Sequence, residues 1–418
     1  MQLETLPSPP PHNSFDPVYL QRMSGDEDGW RLTPVLTWIL GEGRLIRKPA
    51  VFVRQLCCKL TEAGAQIWRF GIDVRTIHPR FAFWELTWER ESGRANEKST
   101  SDDVVTSIEY LGTAAQLVRE TREIFRCRLG DPDQDARHPS LAFLAARGGK
   151  DLVALPLVFS DSQINVLVMA TDRDSGYSDL DLAKFMTLST FLAGLIEIYA
   201  AQRTALALLD TYVGPRAGRQ VLKGQVRRGE GRKIDAAIWL SDMREFTALT
   251  ECLPQASLLE MLNAYFEFIN AAVTAHGGEI LLFIGDAVLV VFPATPRGGR
   301  SQACKAALEA AHDATHGIAT VNMRRTRAGE PAIDFGIGLD VGEVIYGTVG
   351  APDRLNFTVM GRAVNRAARL QNLTKDLGRP VLTSAAFAAC IDTPAESLGY
   401  HPVKGVLKPQ EILVPKGF

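Results

Sequence analysis

The chain has 418 residues, of which 46% are hydrophobic and 22% charged, with 35 Gly and 22 Pro; this excludes a collagenous or mostly disordered protein and suits two or three domains. A formal net charge of -2 points to neither nucleic acid nor an anionic membrane as a partner. The six cysteines, Cys57, Cys58, Cys127, Cys252, Cys304 and Cys390, contain no CxxC, which argues against a zinc ribbon or disulfide scaffold and fits a reducing cytoplasm.

Residues 1–30 open with MQLETLPSPPPH and are rich in Pro, Ser, Asp and Gly. They lack the basic start and apolar stretch of a signal peptide and read as a disordered lead-in. Residues 31–200 alternate helical patterns with the strand-like runs FAFWELTW (81–88), DLVALPLVF (151–159) and INVLVMA (164–170), the pattern of a mixed α/β domain. The polar stretch ERESGRANEKSTSDD after the first run reads as a loop. No stretch reaches about 18 uncharged apolar residues, FLAGLIEIYA being interrupted by Glu197, so no membrane span is expected.

From Leu188 apolar residues recur at steps of four and three through Leu192, Leu195, Tyr199, Leu206, Leu209 and Val213, with Gln202 as the polar member. The spacing resembles the seam of a short coiled coil; one amphipathic helix packed on its own domain stays open for the first half, which Phe185, Phe191 and Ile196 widen, whereas past Tyr199 the narrower stripe favours a dimer. Residues 201–234 read as this linker helix followed by a basic, solvated linker.

From Asp235 to the C-terminus the pattern sharpens. AAIWL (236–240) is a buried strand ending in Ser241 and Asp242, and Leu258, Leu259, Leu262, Tyr265, Phe266, Ile269 and Val273 mark one face of a long helix. EILLFIGDAVLVVF reads as a hairpin around Gly285 and Asp286, a second helix covers about 300–325, and IDFGIGLDVGEVIYGTVG reads as two strands around a Gly turn. The order βαββαβ is that of a ferredoxin-like unit within the α/β (α+β) class. There the first strand and the hairpin lie side by side, so Asp242 and Asp286 can converge. Two such carboxylates are hard-oxygen ligands suited to Mg²⁺, although each alone would pass as a turn aspartate.

LSDMREFT (240–247), FIGDAVLVVF (283–292), GEVIYGTVG (342–350), RLNFTVMGRAVNRAARLQ (354–371) and VKG (403–405) resemble, in order, the motifs of the class III nucleotide cyclase catalytic domain. The resemblance implies a homodimer that builds two sites at its interface, each closing a nucleoside triphosphate on itself by attack of the ribose 3′-hydroxyl on the α-phosphorus. It implies that Asp242 and Asp286 hold two Mg²⁺ or Mn²⁺ ions per site, that backbone amides running into Phe246 and Thr247 face the phosphates, and that Lys404 binds the terminal phosphates. Asn365 would orient the ribose and Arg369, one turn on along the same helix face, would reach the α-phosphate. For base recognition, adenylyl cyclases of the family usually carry Lys where this chain has Leu282, and Asp or, in one subgroup, Thr at the position of Thr358. The chain therefore resembles the Thr subgroup without its adenine-reading lysine.

Two motifs lead elsewhere. HGGEI (276–280) is superficially similar to the GGDEF signature but lacks its remainder, and His312 and His316 share a helix face without a third ligand nearby in sequence. The N-terminal half, through HPRF (78–81) and DLVALPLVF, resembles the regulatory region before cyclase domains in rhizobial-type bacterial proteins, and its part from about 104 to 200 resembles a GAF-like sensor. The expectation is a cytoplasmic, homodimeric adenylyl cyclase acting on ATP, with a catalytic domain over 235–418 and an unidentified small-molecule or protein signal at the N-terminal domain. The alternatives are a degenerate cyclase domain serving as a nucleotide-binding or dimerising module, and a cyclase of relaxed ATP/GTP specificity, both motivated by Leu282.

Overall fold

The structure, a computed structural model, describes residues 29–78, 80–107, 109–222, 224, 229, 231–402 and 408–418. Up to residue 28 the expected lead-in lies outside the described residues. The chain divides into two compact units between Ala207 and Leu208.

In the N-terminal unit, strands β1 (Arg69–Arg75), β2 (Phe81–Glu89), β3 (Arg94–Ser101), β4 (Phe125–Arg128), β5 (Asp151–Val158) and β6 (Ile164–Thr171) form an antiparallel sheet in the order β3-β2-β1-β6-β5-β4. Helices α1 (Leu32–Leu40) and α2 (Pro49–Glu62) precede it, α3 (Ala114–Thr121) and α4 (Pro139–Ala146) lie in sequence between β3 and β5, and α5 (Asp179–Tyr212) follows. Strand alternation sorts the faces. Phe70, Ile72, Trp84 and Leu86 share one core with Phe52, Leu56, Phe185 and Leu188, while Val118, Leu141, Leu144, Ala154 and Val166 form another.

Three expectations for this half change. The polar stretch expected as a loop contains β3, which pairs with β2 from Ser101 opposite Phe81 to Arg94 opposite Glu89; as an edge strand it needs few apolar residues. The boundary expected near 104 for a GAF-like part falls between β3 and β4 of one continuous sheet. Of the expected seam, Leu188, Leu192 and Tyr199 are buried in the unit's own core, as a packed first half requires, whereas Leu206 beyond them is exposed; Met186, Phe191, Ile198 and Tyr212 are the other exposed large apolar residues of α5. By length and composition alone α5 could cross a membrane, but Phe185, Leu188, Leu192 and Ile196 spend its apolar face on packing.

The C-terminal unit takes the last residues of α5, then α6 (Pro215–Leu222), β7 (Gly231–Met243), α7 (Phe246–Cys252), α8 (Gln255–Ala275), β8 (Glu279–Ile284), β9 (Ala287–Pro293), α9 (Gly299–Arg327), β10 (Phe335–Ala351), β11 (Arg354–Met360), α10 (Arg362–Asp376), β12 (Val381–Ser384), β13 (Ala395–His401) and β14 (Gln410–Pro415). The sheet order is β13-β14-β12-β10-β7-β9-β8, with β11 paired to β10. The ferredoxin-like order is thus present and extended at its β10 side. Strand β7 is apolar at successive positions because both its faces are covered. Ala237, Trp239 and Met243 pack with Met261, Tyr265 and Ile269 of α8 and Ala307 and Ala311 of α9, and Ala236 and Ile238 pack with Ala363 and Ala367 of α10.

Two readings are corrected here. The run 335–351 is one 17-residue strand and not two strands around a turn. Its glycines serve a helix contact: a Cβ at Gly338 would lie 2.1 Å from the Ala367 carbonyl oxygen, and one at Gly336 would lie 1.9 Å from Thr374 Oγ1, so they let α10 lie close on the sheet. The basic segment expected as a solvated linker contains α6, whose Ala217 and Gly218 are buried, and the start of β7.

Candidate active site

Asp242 is the penultimate residue of β7, and Asp286 follows Gly285 in the two-residue turn between β8 and β9. Gly285 has φ +66 with open space around a Cβ, the left-handed geometry such a turn requires. Because β9 pairs with β7, Ser241 opposite Val288, the strand end and the hairpin tip come together. Burial first, then the facing carboxylate of Asp286, push the Asp242 carboxyl up to about 7. Asp242 Oδ1 is buried without a hydrogen-bond partner among the described residues.

Such an orphaned acceptor beside a second carboxylate is a misfit for a lone protein and a fit for a divalent cation. Mg²⁺ and Mn²⁺ are hard ions that accept one or two carboxylates and leave their remaining positions for water and phosphate. Among the described residues there is no cluster of three or more His, Cys, Asp or Glu able to form a closed metal cage. His312 and His316 stack 3.8 Å apart on an exposed face of α9, as a solvated helix surface allows. The strand end is braced by Tyr265, whose hydroxyl donates to Ser241 Oγ at 2.9 Å, and the hairpin by Phe283, whose ring lies 4.5 Å from that of Phe266. After β7 the chain passes through Glu245, at φ 57, into α7, which begins at Phe246 without a side-chain cap and so leaves the amides of its first turn, including Phe246 and Thr247, without one.

Asn365 and Arg369 lie on α10. Ala363, Ala367, Leu370, Gln371 and Thr374 are its buried residues, and 3.6-residue periodicity carries Asn365 and Arg369 to the opposite side. Asn365 is exposed, and half-buried Arg369 makes no side-chain hydrogen bond or ion pair among the described residues. The structure therefore brings Asp242 and Asp286 together but turns Asn365 and Arg369 away from the sheet that carries them. The residue between these two on the sheet side, Arg366, was not foreseen. It pairs through Nε with Asp340, a fully buried carboxylate of β10 that also accepts from Ser384 Oγ. A lone Asp inside the apolar run IGLDV was the available signal.

Thr358 lies on β11 opposite Gly347, is 8% exposed, and its Oγ1 lacks a partner among the described residues. Leu282 follows a register shift in β8 and is partly buried against the second core, with Leu281, Leu289, Tyr346 and Phe357. Lys404 lies outside the described residues.

Residues 230–405 match the family described as the adenylate and guanylate cyclase catalytic domain. Adenylate cyclase 1 of Rhizobium meliloti is 30% identical over 277 residues, covering 63% of this chain and 40% of that protein. The adenylate cyclase of Anabaena cylindrica is 31% identical over 157 residues, 38% of this chain and 31% of its own length. The chain thus spans well under half of either relative. Among solved structures, the adenylyl cyclase CyaB from P. aeruginosa aligns at 26% identity with a TM-score of 0.41, over 44% of this chain and 94% of its own. The guanylyl cyclase Cya2 aligns at 27% identity with a TM-score of 0.39, over 44% and 92%. The match to the adenylate and guanylate cyclase catalytic domain thus falls on the C-terminal unit, through residues 230–405.

Proposed function

We propose that the chain is a cytoplasmic, homodimeric adenylyl cyclase that converts ATP to 3′,5′-cyclic AMP and pyrophosphate under the control of its N-terminal unit. The bond from the ribose 3′-oxygen to the α-phosphorus forms, the bond from that phosphorus to the pyrophosphate oxygen breaks, and the 3′-hydroxyl proton leaves to solvent. The observation that carries the reading is the meeting of Asp242 and Asp286 with a buried, unpartnered Oδ1. Two Mg²⁺ or Mn²⁺ ions held there would supply the charge that acidifies the 3′-hydroxyl and neutralises the phosphates.

The chain's own groups would do the rest. Arg369, free of any partner among the described residues, would hold the α-phosphate as its charge grows, and Asn365 would fix the ribose. The α7 amides of Phe246 and Thr247, with Lys404, would hold the outer phosphates. Thr358 Oγ1 would meet the base edge, with Leu282 packed on the ring. Asn365 and Arg369 face away from their own sheet, which supports a site completed by a second copy of the chain. The two relatives named as adenylate cyclases support ATP as the substrate.

Incubating the purified full chain with Mn²⁺ and either ATP or GTP, and identifying products by mass spectrometry, tests this. Cyclic AMP and pyrophosphate in equal amounts are expected. A second reading, relaxed base specificity, is favoured by Leu282, which cannot hydrogen-bond a purine; comparable cyclic GMP formation would select it. No cyclic product at high protein concentration would leave a nucleotide-binding or dimerising module.

A further inference from the structure

Helix α6 begins Gly214-Pro215-Arg216, a start that offers no side chain to cap its first amides. The cap comes instead from the sheet. Glu279, the first residue of β8 and only 5% exposed, accepts the backbone N–H groups of Arg216 at 3.1 Å and Ala217 at 3.3 Å through Oε1. Its Oε2 accepts the Tyr346 hydroxyl of β10 at 2.9 Å. Gly214 sits at φ +95, a backbone that residues with a Cβ rarely adopt, and a Cβ there would also stand 3.2 Å from Glu279 Oε1. The other side of α6 is equally close-fitting: a Cβ at Gly218 would lie 3.1 Å from the Leu209 Cβ at the end of α5. Ala217 enters the core that holds Leu281, Leu289, Tyr346 and Phe357.

One buried carboxyl thus ties three elements together. On its own strand Leu282 stands three residues on, and Asp286 follows seven residues on, in the turn that ends the strand. Through Tyr346 it reaches the strand whose next residue, Gly347, pairs with Thr358. Burying a carboxylate is costly unless its acceptors are filled, and here a helix outside the βαββαβ unit helps to fill them. Building on the cyclase reading, we propose that Glu279 is a positioning residue, the latch through which the end of α5 and α6 set the hairpin that carries Asp286.

The test uses the full chain with Glu279→Ala, Glu279→Gln and Tyr346→Phe. Glu279→Ala should lower kcat about tenfold while changing KM for ATP less than about threefold, because the hairpin is displaced and not the nucleotide contacts. Glu279→Gln keeps an acceptor for both amides and should recover most of the rate. Without nucleotide, hydrogen exchange in Glu279→Ala should quicken in 215–222 and also in 280–288. A folded Glu279→Ala protein with the wild-type kcat, or faster exchange confined to 215–222, overturns the latch. Should Glu279→Ala fail to fold, Tyr346→Phe decides in its place, with faster exchange in 280–288 expected and unchanged exchange contrary. A wild-type chain that makes no cyclic nucleotide would defeat the cyclase reading alone, since exchange still decides the latch.

Discussion

At Asp242 burial and the nearby carboxylate of Asp286 act in the same direction, and the consequence can be measured without any substrate. Its carboxyl rises from an ordinary value of 3.8 to about 7, so between those values the native state holds a proton that the unfolded chain has released. Stability therefore falls as pH rises through that window in metal-free protein. Asp242→Asn cannot ionise and should flatten this part of the pH–Tm curve, gaining on the order of 1 kcal/mol at pH 7 after solvent screening. Thermal melts in a chelator at pH 5 and pH 8 check it; an unchanged slope in Asp242→Asn would place the charge penalty elsewhere. The base pocket offers a second test at this scale. Leu282→Lys would add a donor to the proposed base pocket and should favour ATP over GTP by about 1 to 3 kcal/mol, less the cost of desolvating the ammonium. A fall in the ATP to GTP ratio of kcat/KM would show that other residues read the purine.

Among the elements, β10 and α10 form the contact that positions Asn365 and Arg369. Gly338→Ala would drive a Cβ into the Ala367 carbonyl oxygen, an atom that moves only with the helix, and should cost about 1 to 3 kcal/mol or more. Urea denaturation should show the lowered midpoint, and activity should fall in the folded fraction because α10 is lifted; native stability would mean that the helix shifts freely. The same contact explains what could be read in advance. The meeting of Asp242 and Asp286 was legible because each sits in a short motif whose spacing survives without the fold. The strand 335–351 was misread because Gly336, Gly338 and Gly342 look like turn signals until the helix they admit is known. Strand β3 was missed because an edge position tolerates the polar sequence Arg94–Ser101. The pairs Tyr265 with Ser241, Asp340 with Arg366 and Glu279 with α6 join residues between 24 and 63 positions apart, and nothing local in the sequence announces them.

For the molecule as a whole, the placement of the site residues makes a quantitative demand. Each copy offers a carboxylate pair at the end of β7 and, on the far side of α10, the Asn365 and Arg369 side chains. If a twofold dimer joins the carboxylates of one copy to the arginine of the other, Asp286→Ala and Arg369→Ala should each be inactive alone. Mixed in equal amounts and allowed to exchange, they form heterodimers in which one site carries both lesions and the other carries neither. Random pairing makes half the dimers heterodimers and each has one intact site of two, so activity should return to about a quarter of the wild-type value. The value should vary with the mixing ratio and peak at equal amounts. Gel filtration with differently tagged copies would establish that heterodimers form, and their formation without any recovered cyclase activity would mean that each chain builds its site alone, with Arg369 serving some other purpose on the outer face of α10.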